Sequence, residues 1–165
     1  MFLKKLLITI AIVNFYIIGY CQSFTLGELT NMIKMDVDNF DTYVSNKGFK
    51  FLENKDSEIQ KGNSYAFNQN SNSRKAEKFI TFYYEYYGKT KRNVTYQTPK
   101  TEEYLKIKNQ IKSLGFKFKE TSNFEGATFL IYFSGKYKLS LISFQSENVG
   151  GKTSAVYEIS ITSLN

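Results

Sequence analysis

Gly48-Phe49-Lys50-Phe51 and Gly115-Phe116-Lys117-Phe118 are the same four residues, 67 positions apart. Each copy follows an amphipathic helical pattern and opens a strand-rich segment. A glycine closing a helix and a Phe-x-Phe opening a strand is ordinary grammar. The upstream register must therefore decide whether the match means more. At the same offset Val37 falls on Tyr104, Phe40 on Ile107, Val44 on Ile111 and Glu53 on Glu120. Apolar positions meet apolar positions over three helical turns, so the reading is an internal duplication.

Upstream of the first copy, Leu26, Leu29 and Ile33 lie at helical spacing within Thr25 to Lys34. Thr25 and Glu28 have capping-box spacing. A second helix is expected from about Asp36 to Lys47, with Val37, Phe40, Tyr43 and Val44 as its apolar stripe. Asp36, Asp38 and Asp41 make a D-x-D-x-x-D pattern. It has neither the glycine turn nor the terminal glutamate of a calcium loop, and reads as carboxylates at a helix start. No metal site is expected.

Downstream, Phe49 to Glu53 reads as a short strand, Asn54 to Asn63 as a polar loop and Ser64 to Asn68 as a second short strand. Gln69 to Ser73 is a polar connection. A long strand follows from about Ala76 to Tyr87, and Asn93 to Thr98 returns as another. Thr98 is placed to cap the next helix and Pro99 to begin it, since proline lacks an N–H that the first turn leaves unused. Tyr104, Ile107, Ile111 and Leu114 form its stripe, and Gly115 stops it. After the second tetrapeptide opens its own strand, Ala127 to Phe133, Lys136 to Ser146 and Ser154 to Thr162 complete the set. In each copy both phenylalanines are expected to anchor the core and the lysine between them to face solvent.

The expected class is α+β: a tandem duplication of one helix plus four antiparallel strands, with helices on one face of a curved sheet. Residues 1–21 read as a signal peptide, 22–98 as the first repeat and 99–165 as the second, together one continuous domain. This element order resembles that of the β-lactamase inhibitor proteins over most of residues 25–163. The resemblance implies a curved antiparallel sheet whose uncovered face is a binding surface. That family carries disulfides, which a chain with one cysteine cannot form, and no inhibitory residue transfers.

The leader reading rests on Lys4 and Lys5 followed by the apolar run Leu6 to Ile18. Gly19 and Cys21 are small residues at the positions before a cleavage ahead of Gln22. The run is shorter than the roughly 20 apolar residues of a spanning helix, so no stable membrane span is expected after cleavage. The expected location is periplasmic or secreted. Alternatively Cys21 is the lipidated cysteine of an anchored lipoprotein, within Ile18-Gly19-Tyr20-Cys21.

The chain carries +7, and loss of Lys4 and Lys5 with the leader leaves +5. Arg74 and Arg92 are the only arginines. Nucleic-acid readers use arginine forks for phosphates and base edges, so no nucleic-acid partner is expected. An anionic envelope surface is a fitting partner for a lysine-rich exported chain. Histidine is absent, which removes the commonest general base, and the mature chain has no thiol nucleophile. Gly150-Gly151-Lys152-Thr153 ends like a phosphate loop, but Ser146 stands where its first glycine belongs, and it joins two strands. No cofactor is expected, and the chain reads as non-enzymatic; a hydrolase built on carboxylates alone ranks last.

Period-two alternation sorts the long strand into two faces. Ala76, Lys78, Ile80, Phe82, Tyr84 and Tyr86 share the face expected under the helices. Glu77, Phe79, Thr81, Tyr83, Glu85 and Tyr87 share the other. Phe79, Tyr83 and Tyr87, with Tyr132, are the candidate aromatic surface for a protein partner, because aromatics bury large area at low entropic cost. The competing reading is that these rings pack only on cross-strand neighbours. A structural or accessory envelope component is the alternative function.

Overall fold

Local capping chemistry sets the first two helices of the computed structural model, which describes residues 23–68, 77–89, 91–147 and 153–164. Helix α1 is Leu26–Met32. Glu28 N–H donates to Thr25 Oγ1 at 3.1 Å, and Thr25 N–H donates to Glu28 Oε2 at 2.7 Å. Helix α2, Val37–Asn46, starts at Asp36, whose carboxylate accepts from Asn39 N–H at 2.8 Å. Both caps satisfy amide donors that a helix start leaves open. The leader, Cys21, the Gln69 to Ser73 connection and the Gly150-Gly151 loop lie outside the described residues.

Helix α2 stops at Gly48, with φ +84°, and Phe49 N–H bonds back to Val44 C=O at 3.1 Å. Helix α3, Thr101–Asn109, runs through a further turn to Gly115, with φ +76°. There Phe116 N–H bonds back to Ile111 C=O at 3.1 Å. Only glycine adopts this left-handed conformation without a Cβ clash. The two stops correspond residue for residue at the 67-residue offset.

The start of α3 differs from expectation. Its N-cap is Lys100, which makes no side-chain cap bond. Thr98 stays in the sheet, paired with Tyr157, and that pairing holds it extended. Its hydroxyl donates to Glu103 Oε2 at 2.9 Å and accepts from Lys100 N–H at 3.2 Å.

Among the described residues, eight strands form one antiparallel open sheet: β1 Lys50–Asp56, β2 Gln60–Phe67, β3 Lys78–Tyr86, β4 Asn93–Thr98, β5 Lys117–Phe124, β6 Ala127–Phe133, β7 Tyr137–Glu147 and β8 Thr153–Ser163. Their order is β1-β2-β3-β4-β8-β7-β6-β5. The chain crosses half the sheet, passes through α3 to the far edge, and winds back until β8 lies beside β4. Asn54 to Asp56 and Gln60 to Asn63 belong to strands, not to a loop. The turn is confined to Ser57-Glu58-Ile59, closed by Ser57 N–H to Gln60 C=O at 3.0 Å. β1 is an edge strand and largely exposed, so its polar sequence hides its strand character.

The core joins α1, α2 and α3 to alternate residues of the central strands. Leu29, Phe40, Val44 and Ile107 meet Ile80 and Phe82, Val94 and Tyr96, Leu139 and Leu141, and Ile159 and Ile161. Burying each such side chain stabilises the fold by about 1.5–3 kcal/mol. Phe49 and Phe116 are buried with them. Their partners are not: Phe51 is 53% and Phe118 58% exposed. Both sit on edge strands, β1 and β5, each beside a bulge, between Phe51 and Glu53 and between Phe118 and Glu120. Each ring packs edge-on against a tyrosine instead, Phe51 on Tyr65 at 5.8 Å and Phe118 on Tyr132 at 5.5 Å.

Candidate binding face

Residues that alternate with the core positions lie on the other side of the sheet. On β3 these are Phe79, Thr81 and Tyr83; on β4, Asn93, Thr95 and Gln97; on β8, Glu158, Ser160 and Thr162. All are half-buried. Hydrogen bonds knit the polar ones into a floor. Thr81 and Ser64 hydroxyls are 3.0 Å apart, and Gln97 Nε2 donates to Glu158 Oε2 at 2.7 Å. Asn93 Nδ2 donates to Ser160 Oγ at 2.8 Å and Thr162 Oγ1 at 2.7 Å. Thr95 Oγ1 donates to Asn93 Oδ1 at 2.8 Å.

Phe79 and Tyr83 border a hollow of about 360 Å³ over this floor, closed on the β1 side by Leu52, Glu53 and Lys55. Glu53 pairs with Lys55, and Glu158 is held by Gln97, so each carboxylate bordering the hollow already has a donor. Tyr83 also borders a second hollow, of about 280 Å³, with Gln60, Tyr86, Lys91, Asn93 and Thr162. Tyr83 thus divides the two. Its position depends on Gly62, directly opposite it across the ladder, next to the bulge that Tyr84 makes in β3. A Cβ on Gly62 would lie 2.8 Å from Tyr83 Cδ1, so the ring occupies space that any other residue would fill.

The structure brings Phe79 and Tyr83 together and places the other two candidates elsewhere. Tyr87 lies beyond the end of β3 in a turn, at φ +49° and 63% exposed, edge-on to Tyr86 at 4.6 Å. Its N–H donates to Ile59 C=O at 2.6 Å. Tyr132 pairs with the buried Leu139 and packs against the core. Cys21 falls outside the described residues.

Sequence reasoning missed the other half of this face. Pairing of β6 with β7 sets Phe129 opposite Ile142, Ile131 opposite Ser140 and Phe133 opposite Lys138, all alternating with core-side Leu130, Tyr132, Leu139 and Leu141. Phe129, Ile142 and Phe144, with Phe124, line a hollow of about 600 Å³. The signal was present: Phe129-Leu130-Ile131-Tyr132-Phe133 is apolar without alternation, as in strands covered on both faces. The face is therefore polar with two aromatic walls over β3, β4 and β8, and apolar over β6 and β7.

Comparison with protein families, with characterised proteins and with solved structures gives no match. Among the described residues, no helix is long and apolar enough to cross a membrane. Among the same residues, no group of three or more Asp, Glu, His or Cys side chains is placed to hold a metal ion.

Proposed function

We propose that this chain is an exported, non-catalytic binding module that engages a protein partner through the sheet face opposite its core. In this reading the module is a tandem duplication, each copy a helix and four strands. The helices cover one face of the sheet, and the other is left to the partner. Support for the duplication comes from the paired stops at Gly48 and Gly115, the paired bulges and the two Phe–Tyr contacts, all at one offset. The observation that carries the function is the composition of the face. Phe79, Tyr83, Phe129, Phe133, Ile142 and Phe144 remain half-exposed where a strand face turned to water is ordinarily polar. Aromatic anchors beside a satisfied polar floor match the anatomy of a protein interface.

The test places a photo-crosslinking residue at Thr95, in the middle of the face. The native chain should give a discrete protein adduct in its own cells. Tyr83→Ser and Phe129→Ser should each reduce its yield at least about fivefold, as expected for loss of an interface anchor. Phe118→Ser, at the sheet edge, should leave it unchanged. Folded face variants that crosslink as the native chain does would sink the reading.

A further inference from the structure

A second surface, independent of the sheet face, runs from α3 through its final turn into β5. Between Tyr104 and Lys119 the chain carries Lys106, Lys108, Lys112, Lys117 and Lys119 and no carboxylate; Glu103 and Glu120 flank the stretch. All five lysines are exposed. Three large apolar side chains are interleaved with them and also exposed: Leu105 at 46%, Leu114 at 42% and Phe118 at 58%. The edge-on contact with Tyr132 at 5.5 Å holds the Phe118 ring in place at the rim of the sheet.

The fold does not require this chemistry. The segment 67 residues earlier makes the same helix stop, strand entry and bulge with Asp38 and Asp41 on its helix. Its Lys47 is tied to Glu28 at 2.6 Å. Lysines in a last helical turn favour the helix dipole, and lysines on an edge strand deter edge-to-edge pairing. Neither role accounts for exposed Leu105, Leu114 and Phe118 among them.

We propose that this surface docks on a lipid bilayer that presents anionic headgroups. The lysines act as point charges toward the headgroups, and the three apolar side chains enter the boundary between headgroup and acyl chain. A soluble polyanion would meet the lysines but give the apolar groups nothing to bury. The net positive charge, +7 for the full sequence and +5 without Lys4 and Lys5, works in the same direction.

The experiment measures co-sedimentation with vesicles, using the full chain purified as the cell delivers it. Vesicles of phosphatidylglycerol with phosphatidylcholine are compared with phosphatidylcholine alone. The expected result is retention on the anionic vesicles that falls with salt. The triple variant Lys112→Glu, Lys117→Glu, Lys119→Glu should lower that retention about tenfold or more. A charge-matched control, Lys34→Glu, Lys50→Glu, Lys136→Glu, should retain most of it. The double variant Leu114→Ser, Phe118→Ser should weaken it at unchanged charge. All substituted residues are exposed, and circular dichroism checks that each variant folds. Equal losses in both triple variants, full binding by the double variant, or binding to soluble polyphosphate but not to vesicles would each overturn the proposal.

Discussion

Lys78 Nζ lies 2.7 Å from Glu103 Oε1, with the lysine side chain 1% exposed and the carboxylate 11%. This pair bonds the start of β3 to the first turn of α3. Glu103 also accepts from the Tyr96 hydroxyl at 2.6 Å and the Thr98 hydroxyl at 2.9 Å, both through Oε2. Burial, then the Glu103 carboxylate, push the Tyr96 phenol well above the ordinary tyrosine range, so it remains a donor. The Lys78 ammonium lies 5.5 Å from the centre of the Phe67 ring. Removing one member of a buried pair costs far more than replacing both by apolar residues. Glu103→Ala should lower stability by about 3–5 kcal/mol, and the double variant Lys78→Met, Glu103→Leu should recover much of that loss. Urea denaturation of the three proteins checks it.

The two helix stops should differ in cost. Alanine at either position enters the left-handed region, at about 1–2 kcal/mol. At Gly115 nothing lies within 4 Å of the added Cβ, so Gly115→Ala should show that cost alone. At Gly48 the Cβ would lie 3.3 Å from Phe67 Cε2, and the ring must give way. Gly48→Ala should therefore melt lower than Gly115→Ala in thermal denaturation. Equal melting temperatures would show that Phe67 yields freely.

Features legible in the sequence were those fixed within a few residues. The Thr25–Glu28 box, the carboxylates at the start of the second helix and the stops at Gly48 and Gly115 are local chemistry, and the structure has each of them, with Asp36 as the cap. Thr98 looks like a cap in the sequence because its pairing with Tyr157, far along the chain, leaves no local trace. Period two placed Phe79 and Tyr83 on one face. It failed beyond Tyr83: the bulge at Tyr84 breaks the alternation, so Tyr86 is exposed and borders a hollow with Tyr83 rather than lying under the helices, and Tyr87 follows at positive φ past the end of β3. Lys78 was legible as inward-facing, but its partner Glu103 lies 25 residues on, in another element. The apolar half of the face was legible in β6 only as a run without alternation, and its facing residues became definite only with the β6–β7 register.

Acid should loosen the junction between α1 and α2 through Glu28. Its carboxylate accepts from Lys47 Nζ at 2.6 Å, Thr25 N–H at 2.7 Å, the Tyr43 hydroxyl at 2.8 Å and the Thr25 hydroxyl at 2.9 Å. Partial burial pushes its pKa up; the bonds from Lys47, Thr25 N–H, Tyr43 and the Thr25 hydroxyl together outweigh that and hold it at about 2, below the ordinary 4.5. A folded-state pKa below the unfolded one stabilises above the unfolded value and is lost as pH falls through the folded one. The contribution of Glu28 should be complete above about pH 4.5 and gone near pH 2. Melting temperatures of Glu28→Gln should thus converge on those of the native chain as pH falls through this window. Parallel curves would show that Glu28 titrates normally.

Gly62 and Tyr83 provide a way to separate folding from binding. A Cβ at residue 62 would sit 2.5 Å from Phe82 O and 2.8 Å from Tyr83 Cδ1. The ring can move, but the carbonyl oxygen is fixed in the β2–β3 ladder, so β2 and β3 must shift apart. Overpacking of this kind costs about 1–3 kcal/mol, and it displaces the ring that divides the two hollows. Tyr83→Ser instead removes a half-exposed side chain and leaves the ladder in place. Gly62→Ala should therefore lower both the urea midpoint and the crosslink yield from Thr95. Tyr83→Ser should lower the yield with a smaller change in midpoint. If Gly62→Ala loses stability but crosslinks fully, the ring's position is irrelevant to the partner, and Tyr83 does not anchor it.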